Sequence, residues 1–323
     1  MPEPIPVALI GLGRWGKNYL KTLLSLREQC RVTHVCTEHP DRIGPTPYPI
    51  KAVAAWKDLI AAGCKAWVLA VPPAEQPAIL SAAVKNSIPC LAEKPLCLDL
   101  KTAESLHAEI ERSGVPVLVD HIHLFNPWYQ ALAHNVRASG EKLHVILSEG
   151  GNLGPYREHT PALWDWAPHD ISLCLDLAGA LPVSLDAVAG PPAPREAPEL
   201  AAIRLDFPYG LGAWIHTGGL VQEKRRKLSV FTDSHWYRLD DLAEEKVAVY
   251  AWSFPRRYEI APPELKPSRV LKPSTSTSPL ETVVRYFLDG LAGGDRSRFG
   301  TGLAVEVIRI LTRVESLMRR KTV

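Results

Sequence analysis

The sequence predicts an α/β protein of two domains: a doubly wound parallel sheet over residues 1–120, then an α+β domain over 121–323 built on a large, mostly antiparallel open sheet. Three observations predict it. Short β-branched runs alternate with helical stretches throughout the first 120 residues. The first of those runs ends in glycines spaced Gly11-x-Gly13-x-x-Gly16. After residue 120 the strand-like runs follow one another directly. Alternation gives parallel strands joined by crossover helices, whereas consecutive strands pair antiparallel.

Strand-like runs occupy 5–10, 31–36, 66–71, 88–92 and 115–119, and helical periodicity occupies 15–28, 52–62, 75–86 and 99–113. In the last of these Leu100, Ala103, Leu106 and Ile110 recur at three- and four-residue steps, while Lys101, Glu104, Glu109 and Glu111 point elsewhere. A helix (127–139) and a strand (142–149) open the second domain and lead through a glycine-rich loop to a helix at 165–179. Strands are expected at 182–189, 200–207, 211–218, 226–231, 235–240 and 246–252. The Pro- and Ser-rich segments 190–198 and 262–280 read as loops, and helices at 279–292 and 302–319 follow.

Composition narrows the function. A chain of 323 residues with 46% hydrophobic content suffices for two cores. A formal charge of +2 without a long Lys/Arg tract argues against nucleic acid as partner. The longest apolar runs fall short of the roughly 20 residues that a membrane helix requires. The opening MPEPIPVALIGLG has no basic region ahead of its apolar run, so it does not read as a secretory signal. Cysteines 30, 36, 64, 90, 97 and 174 form no CxxC pair, lie mostly in apolar surroundings, and read as buried reduced thiols rather than zinc ligands or a disulfide framework. A soluble cytoplasmic protein without a metal site is expected.

Strand before and helix after is the context in which GxGxxG binds a dinucleotide. Gly11 and Gly13 allow the sharp turn and close approach of a pyrophosphate, Gly16 lets helix pack on strand, and the helix N-terminus offers N–H groups to the phosphates. At the end of the second strand, where an acidic residue holds the ribose, the sequence reads VCTEHPDR. Thr37 stands where Asp is commonest and Glu38 follows; Glu38 favours NAD by repelling a 2′-phosphate, while Thr37 and Arg42 would tolerate NADP.

Two further constellations carry chemistry. Glu93-Lys94-Pro95 falls at the carboxyl end of the fourth strand, facing the crevice where a nicotinamide would lie, and Lys94 is the only cation of an apolar stretch. A cis bond before Pro95 would fix the direction of Lys94. In ALWDWAPHDISLCLDLAG, Pro168 is admissible only in a first helical turn, which makes Asp165 the expected N-cap and puts His169 on the same side four residues on. The field of the helix N-terminus would keep His169 neutral and able to accept a proton. Asp170 points about 100° away and reads as structural.

The motifs GLGRWGKN, AVPP, AEKPLCLD, DHIHLFNP and WDWAPHDISLCLDL, with SPLETVVRYFLDGL near the C-terminus, resemble those of the glucose–fructose oxidoreductase, inositol dehydrogenase and rhizopine catabolism (Gfo/Idh/MocA) family in order and spacing. The resemblance implies a Rossmann domain joined to an open-sheet domain that commonly mediates homo-oligomerisation, and NAD- or NADP-dependent chemistry on sugars, inositols or nucleotide sugars. It places catalytic roles on Lys94, Asp165 and His169, and cofactor contacts on Arg14, Trp15, Val71, Pro72, Gln76 and Glu93 beside the glycines, Thr37 and Glu38. Thr37, Gln76 and Leu124 depart from residues frequent in the family at those places. In the implied reaction a secondary alcohol loses its hydroxyl proton to His169, its carbinol hydride passes to nicotinamide C4, and Lys94 stabilises the developing alkoxide.

For the substrate, Tyr156, Arg157, His159, His123, Trp128 and Tyr129 offer aromatic faces for a base or sugar and a positive charge for a pyrophosphate. That mixture favours a nucleotide sugar. The LFNP and LWDWAPHDIS wording is similar to family members acting on surface-polysaccharide and lipid A precursors, which implies oxidation at C3 of UDP-N-acetylglucosamine. A free polyol or simple sugar, or a non-catalytic dinucleotide-bound regulator, are the alternatives. The run QEKRRK (222–227) reads as a solvated strand face rather than a diphosphate contact.

Overall fold

A computed structural model describes residues 3–154, 160–190, 199–251 and 266–320. The chain divides into two compact units, residues 1–122 with 278–309 and residues 123–277 with 310–323. In this division residues 278–309 fall with the first unit. Side-chain bonds fasten them there: Gln29 donates to Asp289 (3.0 Å) and Arg285 donates to Gln29 (3.3 Å).

The first unit holds strands β1 (Ile5–Ile10), β2 (Cys30–Cys36), β3 (Lys51–Val53), β4 (Ala66–Leu69), β5 (Cys90–Glu93) and β6 (Val117–Asp120) in the order β3-β2-β1-β4-β5-β6, every pair parallel. Strands β4 and β6 are buried along their whole length, as in a parallel sheet covered on both faces. Helices α1 (Arg14–Ser25), α2 (Gln76–Lys85) and α3 (Leu100–Ser113) connect the strands close to the expected ranges. The Asp99 carboxylate caps α3 by accepting from Thr102 N at 2.7 Å.

The helix expected over 52–62 is absent. Residues Lys51–Val53 instead add an edge strand beside His34–Cys36, and only a single 3₁₀ turn follows at Trp56–Leu59. Ladder hydrogen bonds to β2 outweigh the helical propensity of the alanines, because local propensity is a weak preference that tertiary pairing overrides.

The second unit is an eight-stranded sheet. Its strands are β7 (Leu143–Leu153), β8 (Ser184–Ala189), β9 (Leu200–Asp206), β10 (Gly212–Gly218), β11 (Leu220–Thr232), β12 (His235–Asp240), β13 (Val247–Ala251) and β14 (Arg269–Leu271), in the order β14-β13-β12-β11-β7-β10-β9-β8. All neighbours are antiparallel except β7 and β10, which run parallel. Helix α4 (Pro127–Ser139) packs on β12 and β14, and α5 (Ala162–Ala178) packs on β7, β9 and β10. Burial alternates along β9 and β10, so one sheet face is covered and the other open. Strand β14 lies inside the segment read as a loop, and β11 begins earlier than residue 226. Its charged residues pair with acids, Arg225 with Glu149 (2.9 Å), Arg226 with Asp241 (3.8 Å) and Lys227 with Asp240 (3.5 Å). The run QEKRRK thus has acidic partners in place for its last three residues, and two of them, Arg226 and Lys227, also border the cavity described below. All six cysteines are free and buried.

Helices α6 (Pro279–Leu291) and α7 (Gly302–Arg320) follow, α6 capped by the Ser278 hydroxyl, which accepts from Glu281 N at 3.2 Å. Among the described residues no helix is long and apolar enough to cross a membrane.

Candidate active site

The first unit brings together the residues expected to hold a dinucleotide. The strand order reverses direction between β1 and β4, and ligands of such sheets bind outside the carboxyl ends at that point. Gly11 sits there with φ +92°, a conformation that disfavours a side chain, and a Cβ on it would strike the Ala70 carbonyl. A Cβ on Gly16 would fall on the Gly11 carbonyl oxygen, so only glycine lets α1 approach β1. Gly13 differs: a Cβ there would meet nothing within 4 Å. Gly13 is also the N-cap of α1, and no side chain caps the helix. An uncapped helix N-terminus bordered by open space suits a pyrophosphate. Arg14 and Trp15 open the helix at the surface.

At the end of β2, Thr37 N donates to Val53 O (2.9 Å), and the Thr37 hydroxyl accepts from His39 N (3.1 Å), while Glu38 is exposed. Val71 and Pro72 follow β4, with Val71 Cγ1 against the Gly11 position. Gln76 is reassigned. It is 1% exposed, and its amide nitrogen donates to the carbonyls of Glu93 (2.7 Å), Pro95 (3.1 Å) and Leu96 (3.2 Å). It braces the turn that carries Lys94 instead of facing a cofactor, because three carbonyls of that turn point into its buried place.

That turn holds a cis peptide bond between Lys94 and Pro95, as expected. Lys94 is partly buried, and its positive charge acts on Glu93, Asp120 and His121. Burial drives both carboxyls above the usual carboxylate range, Glu93 further raised by the neighbouring Asp120, while Lys94 opposes both shifts. Glu93 is partly buried as a residue, but its Oε1 is shut off from solvent. Burial, helped by Lys94, pushes His121 down to about 4, which keeps it neutral.

In the second unit, α5 begins at Ala162 with Pro161 at the N-cap position, and the amides of Trp164 (2.9 Å) and Asp165 (3.0 Å) donate to the Pro161 carbonyl. Asp165 is thus in the first turn and does not cap, and Pro168 lies inside the helix. The apolar ALW segment is buried against the sheet, and that burial extends the helix upstream of the limit proline would otherwise set. His169 consequently lies beyond the first turn, where the terminal field has faded. Asp165 and His169 still share one helical face. The His123 ring meets the His169 ring edge-on, with centroids 4.5 Å apart.

Both histidines line a cavity with about 460 Å³ of space, part of it open to solvent. Asn126, Trp166, Glu149, Arg226 and Asp241 complete much of its polar wall. Its charges nearly balance, so it suits hydroxyl groups and one aromatic-stacked ring better than a bare phosphate. Asp170 also borders it but is consumed by the fold. Its carboxylate accepts from Ser148 (2.6 Å) and Thr217 (2.9 Å), tying α5 to both parallel strands, and burial raises it to about 6.

Tyr129 is corrected outright. It is 1% exposed and donates to Asp176 (2.5 Å), which also pairs with Arg137 (2.7 Å), so it belongs to the core under α4 and not to a ligand surface. Tyr156, Arg157 and His159 lie outside the described residues. Sequence reasoning did not single out the buried Tyr19–Asp120 pair beside Glu93; the single acid closing the apolar run VPVLVD is the signal that could have found Asp120.

Comparison with known proteins bears on the whole chain. A family profile described as "Oxidoreductase family, NAD-binding Rossmann fold" matches residues 5–121. The chain is 31% identical to an oxidoreductase candidate of known structure from Magnetospirillum magnetotacticum MS-1, covering 96% of this chain and 99% of that one with a TM-score of 0.83. It is 27% identical over 207 residues to a myo-inositol dehydrogenase of Streptomyces leeuwenhoekii, a match spanning 61% of this chain and 62% of the relative, short of two thirds of its length. It is 24% identical over 238 residues to the UDP-N-acetylglucosamine 3-dehydrogenase of Acidithiobacillus ferrooxidans, covering 72% and 73% of the two chains. A structure of that dehydrogenase superposes with a TM-score of 0.81, covering 98% of each chain at 19% identity.

Proposed function

This chain belongs to the Gfo/Idh/MocA oxidoreductase family, and on that premise we propose that it is an NAD-dependent dehydrogenase oxidising a secondary alcohol of a sugar. The observation that carries the reading is the uncapped, open glycine turn at Gly13 in the same unit as Lys94, each at the carboxyl end of a parallel strand. A nicotinamide bound there supplies a hydride acceptor at its C4. Lys94 donates a charge-assisted hydrogen bond to the reacting hydroxyl and stabilises the alkoxide as it forms. His169 accepts the hydroxyl proton, with Asp165 on the same helical face holding a neighbouring hydroxyl or orienting the imidazole. Glu38 accepts from the ribose and selects NAD over NADP.

As substrate we propose a nucleotide sugar, UDP-N-acetylglucosamine oxidised at C3. The relative from A. ferrooxidans supports it, and Arg157 is the proposed diphosphate contact. A free polyol is the second reading, favoured by the inositol dehydrogenase relative and by the charge-balanced cavity around His123 and His169. The open sheet face, with Leu147 and Trp214 exposed, is the proposed homo-oligomer surface. The test is to incubate purified protein with NAD or NADP and a panel of UDP-sugars, free sugars and inositols, following absorbance of the reduced nicotinamide and locating the new ketone. Turnover of UDP-sugars with uridine diphosphate inhibition supports the first reading. Turnover of free polyols alone selects the second, and no reduction with any member of the panel overturns both.

A further inference from the structure

One buried imidazole of the first unit has no part in the reaction above. His121 is 4% exposed, yet neither of its ring nitrogens has a hydrogen-bond partner among the described residues. Buried polar groups are normally paired, so an orphaned ring calls for a ligand or an ordered water. Its place in the sheet bears on which. The last pair of the β5–β6 ladder is Glu93 with Asp120, so Lys94 and His121 leave adjacent parallel strands at one level. The His121 amide donates to Val119 O at 2.9 Å, a γ-turn that ends β6 there. His121 thus stands at the carboxyl end of its strand, the end at which sheets of this order bind ligands. Burial, helped by Lys94, pushes it down to about 4, so the ring is neutral, with one N–H to donate and one nitrogen to accept.

We propose that His121 is a cofactor-binding residue, hydrogen-bonded to the carboxamide of the nicotinamide. The inference rests on the dehydrogenase reading and adds a residue to it. Strand order supports the assignment. With the pyrophosphate at the Gly11–Gly13 turn after β1 and the adenosine ribose at Glu38 after β2, as proposed above, the other half of the dinucleotide runs toward the ends of β4, β5 and β6. His121 lies three strands along from β1, roughly 14 Å at about 4.8 Å per strand, beyond the reach of the phosphates. The chemistry agrees with that separation. A neutral ring brings no charge to a diphosphate. A carboxamide offers both an N–H and a carbonyl, so either tautomer of the imidazole finds its complement. A buried water is the other way to satisfy the ring, and the comparison below separates the two.

The test is binding without turnover, read by fluorescence titration with NAD and with ADP-ribose, which keeps both phosphates and both riboses but lacks the nicotinamide. His121→Leu should weaken NAD about tenfold and leave ADP-ribose as in the wild type. His121→Gln, which restores a donor and an acceptor, should recover most of that loss. The cofactor-free His121→Leu protein should melt no lower than the wild type, since an apolar side chain of similar size replaces an unsatisfied polar one. Unchanged NAD affinity in His121→Leu overturns the proposal and leaves a water as the ring's partner. Equal losses for NAD and ADP-ribose overturn it as well. If His121→Leu does not fold, the wild type decides by nitrogen NMR: the His121 ring signal, identified by its absence in His121→Gln, should shift with NAD and not with ADP-ribose, and a signal indifferent to NAD overturns the proposal. A wild type that binds NAD but oxidises no sugar sinks the dehydrogenase reading while the affinity comparison still judges His121; one that binds neither nucleotide overturns both.

Discussion

Replacing Asp170 with Asn should stabilise the protein at neutral pH, against the usual expectation for a buried hydrogen-bonded acid. Burial raises this carboxyl from 3.8 to about 6 even after the bonds from Ser148 and Thr217 and the attraction of Arg226 have pulled it down. A folded-state value above the unfolded one means that the native state holds the proton more tightly, so stability falls as pH rises through the interval from 3.8 to about 6. At about 1.36 kcal/mol per pH unit, ionising Asp170 in the fold costs on the order of 3 kcal/mol by pH 7. Asn keeps the shape: its carbonyl accepts from Ser148 and its amide donates to the Thr217 oxygen. Imperfect geometry gives back roughly 1 kcal/mol, for a net gain of ~2 kcal/mol. The assay is thermal unfolding of both proteins from pH 4 to pH 7. The gap should be near zero at the acid end and open in favour of the variant as pH rises. A variant that is less stable by a constant amount at every pH would refute the assignment of the cost to charge.

The glycine turn separates packing from binding. Gly16→Ala should lower stability and nucleotide affinity together, because its Cβ falls on the Gly11 carbonyl, whereas Gly13→Ala, with open space around it, should keep the melting temperature and weaken dinucleotide binding, as read by fluorescence titration. Lys94→Ala or His169→Ala should each reduce turnover on the order of 10²–10⁴-fold with the fold intact by circular dichroism, and near-normal rates in both would remove the site. Gln76→Ala deprives three carbonyls of the Lys94 turn of their donor and should cost about 1–3 kcal/mol in chemical denaturation, with turnover falling more than nucleotide affinity.

Much of the fold was legible because its determinants are local. Apolar runs and the glycine spacing each act within a few positions of chain, whereas the caps Asp99, Asn126 and Ser278 emerge only from the folded helices. What escaped depends on partners distant in sequence. The segment 52–62 carries helical residues yet supplies an edge strand, since the free ladder of β2 is invisible in a window around Trp56. The parallel pairing of β7 with β10 bridges a stretch containing α5, which joins them through Asp170, so here a crossover helix does sit between consecutive partners in the sheet. Proline set too strict a limit on α5, because burial of Leu163 and Trp164 outweighs one lost backbone bond.

The candidate site divides along the same line. Residues proposed to meet a ligand through backbone shape or a short motif, the glycines, Lys94 and the Asp165–His169 pair, announce themselves by spacing. Residues that act on other residues do not. Tyr129 looked like a ligand-facing aromatic because type and neighbourhood are all that a sequence offers, and its place beneath α4 depends on Asp176, which lies 47 positions away. Tyr19 and Asp120 are 101 positions apart, and each alone is an ordinary core tyrosine or a strand-terminal acid. Only the fold brings that phenol and that carboxyl together at the end of the strand beside Glu93. The EKP motif is asymmetric in the same way: the lysine is recognisable as chemistry, whereas the glutamate beside it gains its acidic neighbour only in the folded sheet, from the residue opposite it on the next strand.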